Sequence, residues 1–230
     1  MRSIEFVDDI KDLIVEILDE KHGPRPGLIV ETGPYFGQGS MRMLAEAQIS
    51  STHYPETITH YALEAVWEFV LEARARASAF RWIRVYHALP TSLEDARKFV
   101  AEDKWRDEHP EIPHDYPDAR KGYEWEISDE HLGIHYHIPE QAWFSKHLPR
   151  FKEKCPLFFL DSGGGTGWLE WKTMAALMAD AQYYVIIDDC NHVKHWRSYE
   201  YIRKHKDWYQ IISQDSAAPP RWTIAFHEGF

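Results

Sequence analysis

"YYVIIDDCNHVKH", residues Tyr183 to His195, carries the reading of the fold. Val185, Ile186 and Ile187, within the predicted strand "YYVIIDD", form an unbroken branched apolar run with no polar alternation. Such a run suits a strand buried on both faces, as in a parallel sheet covered by helices. Two carboxylates, Asp188 and Asp189, follow at once, and Asn191, His192 and His195 come within six residues of the second. Buried carboxylates repel one another and cost several kcal/mol when unpaired, so a strand ending in two acids asks for something positive nearby. A cationic ligand, a metal ion or basic side chains would each answer.

The same pattern recurs upstream. "GLIVETG" (27–33), "THYALEAV" (59–66), "RWIRVYHAL" (81–89) and "CPLFFLDS" (155–162) read as strands. Between them, residues 39–50, 67–80, 92–103 and 167–180 have helical composition, with Trp168, Trp171, Met174, Ala175 and Met178 on one face of the last. "KHWRSYEYIRKH" continues as a helix, and the tail "WYQIISQD…RWTIAFHE" gives two strands around a Pro-containing turn. Strands alternating with helices predict an α/β fold with a mostly parallel sheet, an antiparallel edge and ligands at the carboxyl ends of the strands.

The bulk properties bound the function. A chain of 230 residues with no linker-like segment predicts one domain with a substantial core. The 44% hydrophobic and 14% aromatic content belongs to a packed protein. With 37 acidic against 26 basic residues and a net charge of -11, a nucleic-acid partner is not expected. The N-terminus has four acids among its first twelve residues and apolar residues Ile10, Leu13, Ile14, Ile17 and Leu18 at helical spacing, which predicts an amphipathic helix rather than a signal peptide. There is no apolar run long enough to span a membrane. Cys155 and Cys190 lack disulfide-framework or zinc spacing and read as thiols of a cytoplasmic protein. The expected partner is a small molecule, and self-association is left open.

Residues 104–151 break the alternation. This polar, His-rich stretch contains Trp105, Tyr116, Tyr123, Trp125, Tyr136, Trp143 and Phe144, too many aromatics for simple disorder. It is expected to be an inserted lid or substrate wall without regular structure, the other reading being a structural appendage. His131, His135 and His137 within it have transition-metal chemistry available, although loop histidines usually go unligated.

Four predicted parallel strands end in an acid: Glu31, Glu64, Asp161 and the Asp188/Asp189 pair. In a doubly wound sheet these ends share one rim. The loop "ETGPYFGQGS" after the first strand has glycines that let a ligand approach the backbone. It is not the dinucleotide pattern, since Arg42 stands where the third glycine of G-x-G-x-x-G belongs, and no G-K-[ST] exists. This disfavours a nicotinamide-dependent oxidoreductase. Glu31 suits a cationic amine, and Glu64 suits a ribose diol.

Together Glu31-x-Gly33-x-x-x-Gly37, Glu64, "FFLDS" and "VIIDD" resemble class I S-adenosylmethionine-dependent methyltransferases. Asp161 with Asp188 and Asp189 resembles the metal-dependent macrocin O-methyltransferase group, which acts on sugar hydroxyls of macrolide and aminocoumarin antibiotics. The resemblance covers about residues 25–100 and 155–228. It implies a Rossmann-like seven-stranded methyltransferase sheet. It also implies S-adenosylmethionine held by Glu31, Gly33, Gly37 and Ser40 at the methionine end, by Glu64 at the ribose and by the "HALPTS" loop, including Leu89 and Ser92, at the adenine. Asp161, Asp188 and Asp189 would hold Mg²⁺, with Asp161 also bordering the cofactor and serving catalysis, and the metal would lower the pKa of an acceptor hydroxyl.

One departure stands out. Where the group often carries its base, two or three residues after the first metal aspartate, this chain has Gly163 and Gly164. His192, on the same rim, is the candidate base from elsewhere. The alternative function is a catalytically silent binding or scaffolding protein on the same fold. The alternative role for Asp188 and Asp189 is capping of the helix that starts near Lys194.

Overall fold

The computed structural model describes residues 4–161, 163 and 165–229. Helix α1 (Ile4–Leu18) precedes strand β1 (Leu28–Thr32) and helix α2 (Ser40–Ser50). Then come β2 (Thr59–Glu64), α3 (Trp67–Ala77), β3 (Ile83–His87) and α4 (Leu93–Glu102). After the insertion the order resumes as β4 (Leu157–Leu160), α9 (Gly167–Leu177), β5 (Tyr183–Ile187), α10 (Trp196–Lys204), β6 (Tyr209–Gln214) and β7 (Thr223–His227). The sheet has seven strands in the order β3-β2-β1-β4-β5-β7-β6. β1 to β5 pair in parallel, while β7 runs antiparallel between β5 and β6, which places the antiparallel pairing at that edge as the sequence predicts.

All five residues of β5 are buried because both faces of the sheet are covered. Tyr183, Val185 and Ile187 face Trp171 and Met174 of α9, Met178 just after it, and Tyr199 and Ile202 of α10. Tyr184 and Ile186 face the other way, onto Ile10, Ile14, Ile17 and Leu18 of α1 and Met43 and Leu44 of α2. The helical spacing read in the N-terminal segment is thus the stripe that covers this face. Each such side chain contributes about 1.5–3 kcal/mol when withdrawn from water. Among the described residues, no helix is long and apolar enough to cross a membrane.

The insertion differs from its expectation. It is regular, comprising α5 (Trp105–Glu108), α6 (Ala119–Glu126), α7 (Asp129–Leu132) and α8 (Trp143–His147), then a short 3-10 helix at Leu148–Lys154. Each of α6 and α7 is opened by a side-chain cap, Asp118 and Ser128 respectively. Tyr123, Ile127 and Leu132 pack with Leu93, Ala96 and Val100 of α4 in a separate apolar cluster. Trp143, Phe144, Leu148 and Phe151 belong instead to the main core beneath β1 and β4. Periods this short leave no pattern to read in the sequence, so tertiary burial alone reveals these helices. Only about residues 104–142 lie outside the sheet core.

Candidate functional site

The rim is built by strand register. β1 to β5 are aligned so that Thr32 pairs with both Leu63 and Leu160, and Leu160 with Ile187. The strands therefore end at about one level, with Glu64, Asp161 and Asp188 at or just past their ends and Glu31 one residue inside β1. The acids fall into two groups.

The first group lies on β1 and β2. Glu31 is wholly buried, its Oε2 lies 2.9 Å from His60 Nε2, and its Oε1 is buried with no hydrogen-bond partner among the described residues. Gly33 (φ 70°) and Gly37 (φ 73°) both adopt the left-handed conformation that favours glycine, turning the chain from β1 into α2. A Cβ on Gly37 would strike the Met41 methyl at 2.4 Å, whereas one on Gly39 would meet nothing within 4 Å, so the outer part of this loop is open. Ser40 begins α2, whose N-terminus has neither a side-chain cap nor an acid in its first turn. Glu64 ties the loop to β2, accepting hydrogen bonds from Tyr35 N–H at 3.0 Å and Val66 N–H at 2.9 Å. Burial pushes its carboxyl up to about 7, against the pull of those N–H groups, with Glu31 adding to the rise.

The "HALPTS" loop is held at two points. The Ser92 hydroxyl is the N-cap of α4, accepting from Asp95 N–H at 3.0 Å. Leu89 is buried in the cluster shared with the insertion, and its N–H donates to Glu140 O at 2.8 Å. The insertion also reaches α3 and β3, where His137 stacks on Trp67 at 4.5 Å and its Nδ1 lies 2.8 Å from His87 Nδ1.

The second group is the aspartate cluster. Asp161, Asp188 and Asp189 each offer a carboxylate oxygen, and these atoms lie within 4.8 Å of one another. Neither Asp188 nor Asp189 caps α10, whose N-cap is His195 without a side-chain bond. Asp188 Oδ1 instead accepts from Asp189 N–H at 2.9 Å, and Asp189 itself is left-handed (φ 56°). Asn191 sits in the following turn.

The positive partner is a side chain that the sequence reading did not single out. Lys194 Nζ donates to Asp161 Oδ1 at 2.6 Å and to Asp189 Oδ2 at 3.2 Å. Arg221 Nε lies 3.7 Å from Asp188 Oδ1 and 4.0 Å from Asp189 Oδ1. Burial alone would pull the lysine down, but Asp161, Asp189 and Asp188 outweigh it and hold its pKa above the usual lysine range. The only signal in the sequence is a lysine shortly after the acidic pair, in a turn.

Three carboxylates are a hard-cation donor set by chemistry. In the arrangement observed, however, an ammonium bridges two of them. A divalent ion on the same oxygens excludes that contact, so the residues as placed do not fit Mg²⁺.

His192 is mostly buried, and burial lowers its pKa, opposed by Asp115 and Asp189, so the ring is neutral near pH 7. Its Nδ1 accepts from Lys194 N–H at 3.3 Å, while Nε2 lies 3.4 Å from Asp115 Oδ1 without forming a hydrogen bond. The insertion walls this side of the rim. Pro113 O accepts from Val193 N–H at 2.9 Å, and Glu126 Oε2 accepts from Gly165 N–H at 3.3 Å. The glycines after Asp161 have packing reasons. A Cβ on Gly165 would come 2.7 Å from Tyr123 Cβ, and one on Gly163 would lie 3.2 Å from Glu126 Oε2. Gly164 lies outside the described residues.

No family model and no curated protein matches the sequence. Among solved structures, the chain is similar to a Staphylococcus aureus protein named as a caffeoyl-CoA O-methyltransferase candidate. The TM-score is 0.52 at 13% identity, covering 99% of this chain and 85% of that one. It is also similar to a methyltransferase from Geobacter sulfurreducens, with a TM-score of 0.50 at 10% identity, covering 97% of this chain and 87% of that one. At such identities the likeness is one of fold. The chain has the Rossmann-like fold of class I methyltransferases.

Proposed function

We propose that the protein is an S-adenosylmethionine-dependent methyltransferase acting on a small-molecule acceptor, with a hydroxyl as the acceptor group. The observation that carries this reading is the link between the two cofactor elements. The left-handed glycine loop after β1 and the acid ending β2 are joined through the Tyr35 N–H bond to Glu64 at 3.0 Å. A partnerless buried Glu31 oxygen beside them suits a cationic amine, and the uncapped N-terminus of α2 suits a carboxylate. A methionine zwitterion carries both. When bound, the cofactor would supply an electrophilic sulfonium methyl. The chain's own part is to hold the cofactor along Glu31, Gly33, Gly37, Ser40 and Glu64 and to seat the acceptor against Asp161, beneath the wall of residues 104–142.

Activation of the acceptor then rests on side chains at the aspartate cluster, with His192 as the candidate base. Mg²⁺ enters this reading only if Lys194 leaves the cluster. The macrocin-like acceptor class, sugar hydroxyls, is the form of the proposal in which that exchange happens. The silent-scaffold reading draws on the His60 contact that engages Glu31.

S-adenosylhomocysteine and S-adenosylmethionine should each raise the melting temperature, while NAD should not. A hundredfold excess over Kd stabilises by about 2.7 kcal/mol, which is on the order of 5–10 °C for a chain of this size. Glu64→Ala should shrink that shift. Stabilisation by NAD alone would overturn the reading, and no shift with any of the three would leave the scaffold as the better account.

A further inference from the structure

The negative charge of the β4–β5 rim is offset from within the chain. Lys194 Nζ is at hydrogen-bonding distance from Asp161 and Asp189, 2.6 Å and 3.2 Å, and Arg221 approaches Asp188 at 3.7 Å. Lys194 is only 7% exposed, so its ammonium depends on these carboxylates in place of water.

Two further features shape the chain around this lysine. Gly167 is the first residue of α9, and a Cβ there would meet Lys194 O at 2.5 Å and Lys194 Cγ at 3.0 Å. Glycine at that position lets the helix lie directly against the lysine backbone and stem. Asp189 is left-handed, and its carbonyl accepts from His192 N–H at 3.0 Å, closing the turn that returns the chain over the cluster. Asp tolerates this conformation better than most residues.

We propose that Lys194 is the resident cation of the Asp161–Asp188–Asp189 cluster and holds the place a divalent ion would take, so that the rim works without a metal. The proposal deepens the methyl-transfer reading and rests on it for the use of the rim. Where the lysine sits is a separate matter, testable without cofactor or acceptor. A divalent ion would draw on the carboxylates of Asp161 and Asp189, two of the three that Lys194 now engages or approaches, and would place a second positive charge beside the ammonium. Binding of the ion would expel Lys194 into a buried setting without its partners.

The test is calorimetric titration of Mn²⁺ and Mg²⁺ into chelator-treated wild type, Lys194→Arg and Lys194→Met. Wild type and Lys194→Arg should show no saturable binding at millimolar metal. Lys194→Met, which keeps an unbranched stem one atom shorter and removes the charge, should bind Mn²⁺ at least about a hundredfold more tightly than wild type. Saturable micromolar binding to wild type overturns the proposal. A folded Lys194→Met that binds no Mn²⁺ also overturns it, because the lysine was then not what excluded the metal. Should Lys194→Met fail to fold alone, its thermal unfolding is followed with and without Mn²⁺, alongside Lys194→Met/Asp189→Asn. Recovery of folding by Mn²⁺ supports the proposal, and no effect of Mn²⁺ on either variant overturns it. None of these outcomes involves S-adenosylhomocysteine, so loss of the cofactor reading and loss of the lysine reading are told apart.

Discussion

Glu64→Gln probes the acid that joins the glycine loop to β2. Glu64 is 5% exposed, and burial raises its carboxyl from 4.5 to about 7. An acid with a higher pKa folded than unfolded binds its proton more tightly in the folded state. Its contribution to stability is fully present below the unfolded value, 4.5, and is lost as the pH rises through about 7. Between about pH 5 and pH 8 that loss is about 2.5 kcal/mol. Glutamine does not titrate. It does sacrifice a hydrogen bond, because the N–H groups of Tyr35 and Val66 approach different oxygens and one of them must then face an amide NH₂. That sacrifice is about 1–3 kcal/mol and is the same at both pH values. Urea unfolding of both proteins at the two pH values therefore isolates the titration. The fall in stability from low to high pH should be smaller in Glu64→Gln by about 2.5 kcal/mol. An equal fall in both proteins would refute the placement of a buried, raised carboxyl at this strand end.

Other perturbations test the remaining parts. Trp143→Ala should destabilise by about 3–5 kcal/mol in urea unfolding, because Trp143 is wholly buried in the main core rather than part of a detachable lid. Gly37→Ala should cost about 1–3 kcal/mol in the same assay through its left-handed φ of 73°. Limited proteolysis should cut first near Tyr136 and Ile138, which are 81% and 66% exposed, and S-adenosylhomocysteine should slow that cut if His137 and Trp67 border the bound cofactor. Cutting at the same rate with and without ligand would leave the insertion a structural appendage.

The middle of the sheet was legible because β4 and β5 are uniform apolar runs, buried throughout. A strand with a helix layer on each face has no polar side, so Tyr183–Ile187 announces its burial without any knowledge of its neighbours. Asp161 and Asp188 were legible too, since each stands directly after such a run. The insertion was misread as irregular. Its helices are four to eight residues long, and caps such as Ser128 and Asp118 lie among polar residues that suit a loop equally well. Trp143 and Phe144 carry no local mark that separates a core aromatic from a lid aromatic.

By itself, then, the sequence determined the alternation of strands and helices, the parallel sheet and the line of acids at the strand ends. Those are consequences of side-chain chemistry acting over a few neighbouring residues. Which acids meet, and what neutralises them, was decided by the tertiary structure. The pairing of Leu160 with Ile187 brings Asp161 beside Asp188 and Asp189. The turn after Asp189 and the room left by Gly167 then deliver Lys194 to Asp161, 33 residues away along the chain. A sequence records a charge but not its partner, because an ion pair depends on a distance in space that only the packed fold sets.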